Sequence, residues 1–559
     1  MGSQVDLVLL TDEPIDWEGD YWFRSSKKIE REMRNLDITK DDKERIEKQF
    51  RVTEYFRPLP KEDGNGSGNG NRNGRGGAFR IRVPHRPHLS LCDLATVAKA
   101  EGYEVRVVDN VLRYPGRMRQ VEALLAEKPK AIGFSTTFLL TPEIVRAYVE
   151  KVRPLSPDSK VILGGPTVRK SHDLHSYADF SVFGDGEGPL LDILDVINGR
   201  RDPATVPYIA YRDEEGNLRY GPSGAESSHV GVKGKAFKAR DVHIPVPDWR
   251  LVNRSFDNVF SIEFSRGCKY NCFYCSYDRG KNIRDLGEIR EELLGNAELG
   301  ITKYRVADSN FTDGPARHKR FPHDVCQLMI DLDLGLQWSC YARVDDLSDE
   351  LAELMQRAGC FGVFFGIESG SKQILKNMRK GHNVDDAHEG VAIAKRNGLR
   401  AHASFIVGYP GETMETYQET LDFIVTARPH TVNLGQFRVE HDTPVYGVDS
   451  FELDGQGMTW RHKTMNAQTA DDLVVKGNRW LLDQGICLGT ECSFPTFMGL
   501  GLSLDESQQM MADMDLVGID SRRGEARYEE AYTRLRHTLL ETFPRAIAKD
   551  QGFWAQSTA

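Results

Sequence analysis

The sequence predicts an α/β protein with two parallel sheets followed by a mainly helical region. Short apolar runs alternate with stretches of helical periodicity, first over residues 89–166 and again over about 255–450. Such alternation is typical of parallel sheets whose helices cover the faces. Between the two series, Pro245 and Pro247 favour extended chain and place a boundary there. A chain of 559 residues is long enough for about three domains.

The amino-acid composition limits the functions that we expect of this protein. A hydrophobic content of 40% with 28% charged residues is ordinary for a chain that buries cores. A net charge of −10 disfavours binding to nucleic acid. We find neither an apolar run near the roughly 18 residues of a membrane helix nor a signal peptide. Nine cysteines without a disulfide pattern fit a reducing compartment. These observations predict a cytoplasmic, multi-domain enzyme without a nucleic-acid or membrane partner.

The amino-terminal series begins with the apolar run Val5–Leu10, which predicts a buried strand ending at Thr11. Residues 15–83 read as an irregular insertion. Its Gly/Asn-rich tract at 63–77 cannot bury apolar surface, so we expect a mobile loop there. Regular structure resumes at residue 89. The predicted elements are a helix at 89–100, a strand at 104–108, a helix at 117–127, a strand at 131–135, a helix at 142–152 and a strand at 160–166.

The central series contains six predicted strands, and polar residues follow each of them. These strands cover 260–264, 303–307, 337–341, 362–367, 401–407 and 431–437. Ligands of parallel α/β sheets and barrels bind beyond the carboxyl ends of the strands. The loops after these strands are therefore the predicted site of chemistry.

Three cysteines in eight residues, Cys268, Cys272 and Cys275, follow the first central strand. A structural zinc site needs four protein ligands, whereas iron–sulfur clusters are held by cysteine thiolates. A cubane held by three thiolates keeps one iron open for another molecule. The alternatives are a zinc site with a distant fourth ligand and three buried cysteines that only pack.

The spacing Cys-x3-Cys-x2-Cys, with Tyr274 before the last cysteine, resembles the signature of the radical S-adenosylmethionine (SAM) enzymes. The resemblance implies a partial (β/α)6 radical SAM barrel over 255–450, a [4Fe-4S] cluster on the three cysteines and SAM on the open iron. Asp308-Ser-Asn replaces the commoner Gly-Gly-Glu, so contact with the methionyl amino group is expected through the backbone. The implied SAM-binding residues are Tyr274, Asp308, Ser309, Asn310, Arg343, Glu368, Ser369, Val407 and Gly408. Among them, Arg343 would pair with the SAM carboxylate, and Glu368 would contact the ribose.

The preceding region, residues 1–245, resembles the Rossmann-like, doubly wound cobalamin-binding domain of one large radical SAM subfamily. The Asp-x-His-x-x-Gly motif, with which some cobalamin domains supply a histidine to cobalt, is missing. We therefore expect no protein histidine on cobalt; Asp173-Leu-His175 comes closest to the motif. The alternative is a Rossmann-like domain that binds nothing and only packs. The implied cobalamin-binding residues are Thr11, Ser135, Thr136, Thr137, Gly164, Gly165, Pro166, Gly184, Gly186 and Glu187.

Together the resemblances imply a cobalamin-dependent radical SAM methyltransferase. It would transfer a methyl group from SAM, via methylcobalamin, to an unactivated carbon or a phosphinate phosphorus of a small biosynthetic intermediate. A flavodoxin or ferredoxin is the expected reductant. Three rivals stay open: a non-methylating ring formation or rearrangement, an RNA methylthiotransferase and a non-catalytic cobalamin sensor. The methylthiotransferase would need three further cysteines, but residues 1–245 contain only Cys92.

Residues 451–559 predict helices, at about 467–482, 504–514 and 526–542, that cover the barrel and shape the substrate pocket. His441 and His462 are candidates for substrate contact, although a lone histidine is more often structural. Cys487 and Cys492 have no further ligand cluster nearby, so a second iron–sulfur centre is not expected.

Overall fold

The computed structural model describes most of the chain outside residues 12–86. The predicted insertion at 15–83, its loop at 63–77, His441 and Cys492 lie outside the described residues, as does part of the predicted boundary at 245–255. The described ranges are 5–11, 87–109, 111, 117–137, 139, 142–222, 246–252, 259–277, 280–440, 443–489, 493–499, 501–519 and 526–538.

The first sheet has seven strands in the order β2-β1-β3-β4-β5-β6-β7. The first five are parallel, which confirms the doubly wound fold, and the last two pair antiparallel at one edge. The antiparallel edge was not predicted. Strands β1 to β7 span Leu7–Leu10, Val105–Val108, Ala131–Ser135, Lys160–Gly164, Phe180–Val182, Ile209–Arg212 and Leu218–Tyr220. Helices α1 to α5 span Leu89–Ala100, Arg117–Ala126, Pro142–Val152, Pro166–Lys170 and Glu187–Ile197.

The second sheet contains six parallel strands in the order β15-β14-β13-β12-β11-β8, which confirms the predicted partial barrel. Strands β8 and β11 to β15 span Val259–Ile262, Lys303–Val306, Gln337–Ala342, Cys360–Glu368, Arg400–Val407 and Thr431–Gln436. Helices α6 to α11 span Leu286–Glu298, Phe321–Leu332, Asp349–Arg357, Lys372–Asn377, Val384–Arg396 and Met414–Ala427. A small antiparallel pair, β9 (Ser265–Arg266) and β10 (Asn282–Ile283), lies beside the cysteine loop.

Helices of the carboxyl-terminal region pack against the edge strands of the second sheet. A hairpin that was not predicted, β16 (Asp454–Gln456) and β17 (Thr459–Arg461), precedes them. It inserts Trp460, whose indole N–H donates to the Phe437 carbonyl at 2.6 Å. Helices α12 to α15 span Ala467–Asp483, Ser493–Gly499, Leu504–Ile519 and Ala526–His537. Among the described helices, none is both long and apolar enough to cross a bilayer.

The two sheets share one hydrophobic core. Helix α1 packs against β8, and Trp249, fully buried, meets Phe260 edge-on with ring centroids 5.0 Å apart. The same apolar cluster contains Leu9 of the first sheet and Ile262 of the second. Burial of apolar surface across this contact therefore fixes the carboxyl ends of the two sheets side by side.

Trp338 on β12 should be among the most costly core side chains to remove. It is fully buried, it meets Phe311 edge-on at 5.1 Å, and its indole N–H donates to the Ala358 carbonyl at 2.8 Å. We expect Trp338→Ala to lower the free energy of unfolding by about 3–5 kcal/mol, measured by urea denaturation. Trp480→Ala on the half-buried face of α12 is the control, and an equal loss there would contradict the expectation.

Candidate active site between the two sheets

The three cysteines lie on a loop that begins at the carboxyl end of β8. Cys272 is buried, Cys268 and Cys275 are half-buried, and none of the described cysteines forms a disulfide. The Gly280 N–H donates to the Cys268 carbonyl at 3.1 Å, which closes the loop on itself. The thiols are thus held at a strand end, where parallel α/β proteins bind their ligands.

The donor set fits a cubane better than a single ion. Across the described part of the chain, no three His, Cys, Asp or Glu side chains form a site for one metal ion. The thiolates of a cubane each bind a different iron, so they lie further apart than the ligands of one ion. Three cysteines on one loop offer such a set of soft donors. A mononuclear zinc site has no assembled fourth ligand among these residues.

Asp308 and Asn310 hold the loop in place. Asp308 accepts the Phe264 N–H at 2.8 Å and also the Ser265 hydroxyl. Burial raises the pKa of Asp308, and the nearby Lys281 ammonium opposes that rise. The Asn310 amide donates to Asp346 at 2.8 Å. The side chains of these two predicted SAM residues therefore make hydrogen bonds that hold the cysteine loop.

Arg343 lies at the end of β12, as predicted, but its guanidinium is already paired. It donates to both carboxylate oxygens of Asp345 at 2.9 and 2.8 Å and to the Lys380 carbonyl at 2.7 Å. It also stacks on the Tyr270 ring, 3.7 Å from the centroid. A bidentate pair of this kind orients the guanidinium strongly. Contact between Arg343 and the SAM carboxylate stays a prediction.

Tyr274 and Glu368 come together around a residue that sequence reasoning missed, Lys380. The Tyr274 hydroxyl donates to Glu368 Oε1 at 2.9 Å, and Lys380 Nζ lies 3.0 Å from the same oxygen and 2.7 Å from the hydroxyl. Glu368 and Lys380 are buried, and Tyr274 is half-buried. Glu368 has a φ of 72°, in the left-handed region, and follows a register shift in β13. The strand end is thus distorted so that the carboxylate faces the cysteine loop.

The turn that carries Lys380 also supports the loop through its backbone. The Phe273 N–H donates to the Met378 carbonyl at 2.9 Å. Lys380 therefore contacts the predicted SAM residues directly, and its own turn holds the cysteine loop. A buried lysine beside a buried glutamate would have signalled this site, but burial is not visible in the sequence.

Loss of the Lys380 charge should weaken SAM binding. In Lys380→Met the buried Glu368 carboxylate loses its cation and with it a fixed orientation, so we expect the dissociation constant of SAM to rise about tenfold or more. Equilibrium dialysis against the reconstituted enzyme measures it. Lys376→Met, at an exposed position of α9, is the matched control. An unchanged dissociation constant in Lys380→Met, with the cluster intact, would contradict this role.

The remaining predicted SAM residues lie at the ends of the same strands. Ser309 donates to the Gly267 carbonyl at 2.7 Å, and the Ser369 and Thr420 hydroxyls are 3.2 Å apart. Val407 is buried at the end of β14. Gly408 has a φ of 87°, and an added Cβ would lie 2.6 Å from Trp460, so only glycine fits.

His462 supports the turn at Gly408. Its Nε2 lies 3.0 Å from the Gly408 carbonyl, and its ring stacks on Trp460 at 5.0 Å. The suggestion that it contacts substrate gains no support. Cys487 is half-buried beside Asp515. Desolvation raises the pKa of its thiol, and Asp515 raises that pKa further.

A cavity of about 330 Å³ lies where the carboxyl ends of the two sheets face each other. On the first sheet it opens at the change of strand order between β1 and β3, where doubly wound folds bind ligands. The opposite wall is formed by residues of the cysteine loop on either side of the three cysteines and by residues just after β11; the cysteines themselves are not among the described lining residues. The predicted cobalamin residues that line it are Ser135, Thr137, Gly164, Gly165, Gly184, Gly186 and Glu187, and the wall of the second sheet includes Glu263, Arg266, Tyr277 and Ser309.

The cavity suits a broad ligand that approaches the backbone. Gly165 has a φ of 108°, and an added Cβ would lie 2.9 Å from the Thr136 hydroxyl and 3.1 Å from its amide nitrogen. An added Cβ at Gly164 or Gly184 would meet only ordinary contacts, at 3.9 and 4.0 Å, and the Ser135 and Thr137 hydroxyls are 3.1 Å apart. A cradle of glycines and hydroxyls fits the flat corrin and its amide side chains. The described lining contains no histidine.

Three predicted cobalamin residues do not line the cavity. Thr11 donates to the Ser135 carbonyl at 3.2 Å, and Thr136 donates to the Gly164 carbonyl at 2.9 Å, so both tie strand ends together. Strand β4 ends at Gly164, two residues earlier than predicted, and Pro166 begins α4. His175 lies outside the cavity, with Nε2 3.2 Å from the Val168 carbonyl and its ring against Phe183.

Two family models match the two sheets. The model of the B12 binding domain matches residues 87–194, and that of the Radical SAM superfamily matches residues 262–424. The chain thus joins a B12 binding domain to a Radical SAM domain. It is a radical SAM enzyme whose cofactors are a [4Fe-4S] cluster, SAM and cobalamin.

Relatives of this cobalamin-binding radical SAM protein differ in reaction. An uncharacterised methyltransferase of Pyrococcus horikoshii is 27% identical over 66% of this chain and 78% of its own. An anaerobic magnesium-protoporphyrin IX monomethyl ester cyclase of Rubrivivax gelatinosus is 26% identical over 62% of this chain and 63% of its own.

Two solved structures share the fold. The cobalamin-dependent SAM radical enzyme OxsB has a TM-score of 0.59 at 15% identity, over 96% of this chain and 71% of its own. The methyltransferase TsrM of Kitasatospora setae has a TM-score of 0.56 at 23% identity, over 65% of this chain and 72% of its own.

Proposed function

We propose that this protein is a cobalamin-dependent radical SAM methyltransferase that acts on a small biosynthetic intermediate. One observation carries the proposal: a single cavity is lined by the glycine and hydroxyl cradle of the first sheet and by the residues on either side of the three cysteines in the loop of the second. A methyl donor on one wall and a radical generator on the other would share that space. The similarity to the methyltransferase of Pyrococcus horikoshii supports this reaction.

The cofactors supply the methyl transfer and the radical, and the chain's residues bind, orient and shield them. Cys268, Cys272 and Cys275 would hold the cluster. Glu368, oriented by Lys380, would contact the ribose of SAM. Leu9, Phe134, Ile162 and Val182 give the cavity an apolar floor. An apolar floor excludes water, which protects reactive species from side reactions.

The cluster also needs an electron from outside the chain. A flavodoxin or ferredoxin is the proposed donor. The proposed substrate is a small molecule. The acidic composition disfavours nucleic acid as a partner.

The test uses SAM labelled in the methyl group with anaerobically reconstituted enzyme and a reductant. Methyl transfer produces S-adenosylhomocysteine only when cobalamin is present, whereas radical formation produces 5′-deoxyadenosine. We expect both products. Formation of 5′-deoxyadenosine with no cobalamin-dependent S-adenosylhomocysteine would contradict methyl transfer.

A non-methylating ring formation is the second candidate, favoured by the similarity to the cyclase of Rubrivivax gelatinosus. It uses the same cavity and the same cysteine loop, so the residues named above do not separate the two. The label does, because a cyclase leaves the methyl group of SAM on methionine.

A further inference from the structure

One guanidinium joins the cysteine loop to the first sheet. Arg266 lies on β9, two residues before Cys268. Its Nη2 is 2.8 Å from Glu187 Oε1, at the start of α5, and its Nε is 2.6 Å from Glu263 Oε2, just after β8. Separate N–H groups of one side chain thus hold one carboxylate from each sheet. Arg266 and both of these carboxylates line the shared cavity.

Four carboxyl groups lie around this one guanidinium. Asp93, 4% exposed on α1, lies 3.8 Å from it, and the exposed Asp185 lies 3.9 Å from it. Burial raises the pKa of Asp93, and the neighbouring Glu187 raises it further. Burial also raises the pKa of Glu263 to about 7, although Arg266 opposes the rise. Without the guanidinium these carboxylates would repel one another across the contact between the sheets.

We propose that Arg266 is a positioning residue: by holding Glu187 and Glu263 together, it fixes the distance between the cysteine loop and the cobalamin-binding sheet. This inference rests on the proposed function, since the distance matters only when both cofactors are bound. Glu187 then acts through Arg266 and not by direct contact with the corrin. Arginine is required because its planar fork serves two carboxylates at once, whereas a lysine ammonium is a single point charge.

The experiment compares the reconstituted wild-type enzyme with Arg266→Met, Arg266→Lys, the isosteric Glu187→Gln and the Arg266→Met/Glu187→Gln pair. Without SAM, the reduced cluster and cob(II)alamin are both paramagnetic, so their magnetic interaction in the electron paramagnetic resonance spectrum reports the distance between them. We expect the interaction to weaken or become heterogeneous in Arg266→Met and Glu187→Gln, with partial recovery in Arg266→Lys. An interaction equal to that of the wild type in both single variants would overturn the proposal.

Cobalamin titration adds a second readout. We expect the dissociation constant of hydroxocobalamin to rise about tenfold in Arg266→Met and in Glu187→Gln, and no further in the double variant, because both changes break one contact. Effects that multiply in the double variant would show that Glu187 contacts cobalamin directly, which would overturn the proposal. Arg200→Met, which breaks the exposed ion pair with Asp195 outside the cavity, is the control and should change neither readout.

Failure of this inference is separable from failure of the proposed function. Wild-type enzyme that binds both cofactors and forms S-adenosylhomocysteine supports the function whatever the variants show. Iron content and SAM cleavage, measured for each variant, identify any that fail to fold. Glu187→Gln preserves volume and polarity, so it keeps the test open if Arg266→Met does not fold.

Discussion

Replacing Cys272 with alanine is expected to remove the cluster and to lower SAM cleavage by about a thousandfold or more, because the radical chemistry belongs to the cofactor. Cys272 is the most buried of the three cysteines, 7% exposed, and lies centrally in the loop. Its removal leaves two thiolates for three irons. Iron and sulfide content and the formation of 5′-deoxyadenosine measure the loss.

The chain provides a matched control for this substitution. Cys326 on α7 is fully buried, and burial holds the pKa of its thiol well above the ordinary value, so it packs as a small apolar group. Cys326→Ala should keep the full iron content and the rate of SAM cleavage. If Cys272→Ala binds as much iron as Cys326→Ala and still cleaves SAM, the assignment of the cysteine loop is wrong.

The sequence predicted the framework well because periodicity and spacing are local properties. The six central strands and the first four strands of the amino-terminal sheet follow from alternating apolar and helical runs. Strands β5, β6 and β7 were not predicted: β5 and β7 have only three residues each, and no side chain of Leu218–Tyr220 is buried. Burial on a sheet face is the signal that makes a strand readable, and an edge strand lacks it.

The sequence predicted the residues that would bind the cofactors. It did not predict the residues that hold those side chains in place. Lys380 follows Arg379 in a charged run and reads as surface. It is buried because Arg379 and Gly381, with φ of 49° and 90°, turn the chain back beneath Glu368. Arg266 likewise reads as a solvent-exposed charge, since its partner Glu187 belongs to another sheet. Such pairings depend on tertiary structure, which a single sequence does not display.

Arg343 shows that the sequence also does not reveal whether a charged side chain is available to a ligand. Its type and position suggested a partner for the SAM carboxylate, yet Asp345, two residues away, accepts hydrogen bonds from two of its five N–H groups. Position at a strand end is readable from sequence. Whether a charge at that position is still available for a ligand is decided by the neighbours that the fold brings to it.

Filling the cavity from the first sheet should separate the two halves of the chemistry. Gly164 ends β4 and lines the cavity, and the nearest atom to an added Cβ is Val182 Cβ at 3.9 Å, so the sheet tolerates a side chain there. In Gly164→Phe the ring would occupy space meant for the corrin. We expect cobalamin affinity to fall about a hundredfold, since an overpacked site costs roughly 1–3 kcal/mol and more where it cannot relax.

SAM cleavage should persist in Gly164→Phe, because the cysteine loop and the Tyr274–Glu368–Lys380 contacts lie on the other sheet. The expected signature is 5′-deoxyadenosine without cobalamin-dependent S-adenosylhomocysteine, the reverse of a general loss of folding. Gly295→Phe on α6, where an added Cβ meets no atom within 4 Å, controls for the bulk of the new side chain. If Gly164→Phe binds cobalamin as the wild type does, the corrin does not occupy this cavity, and the methyl-transfer scheme loses its support while the radical site stands.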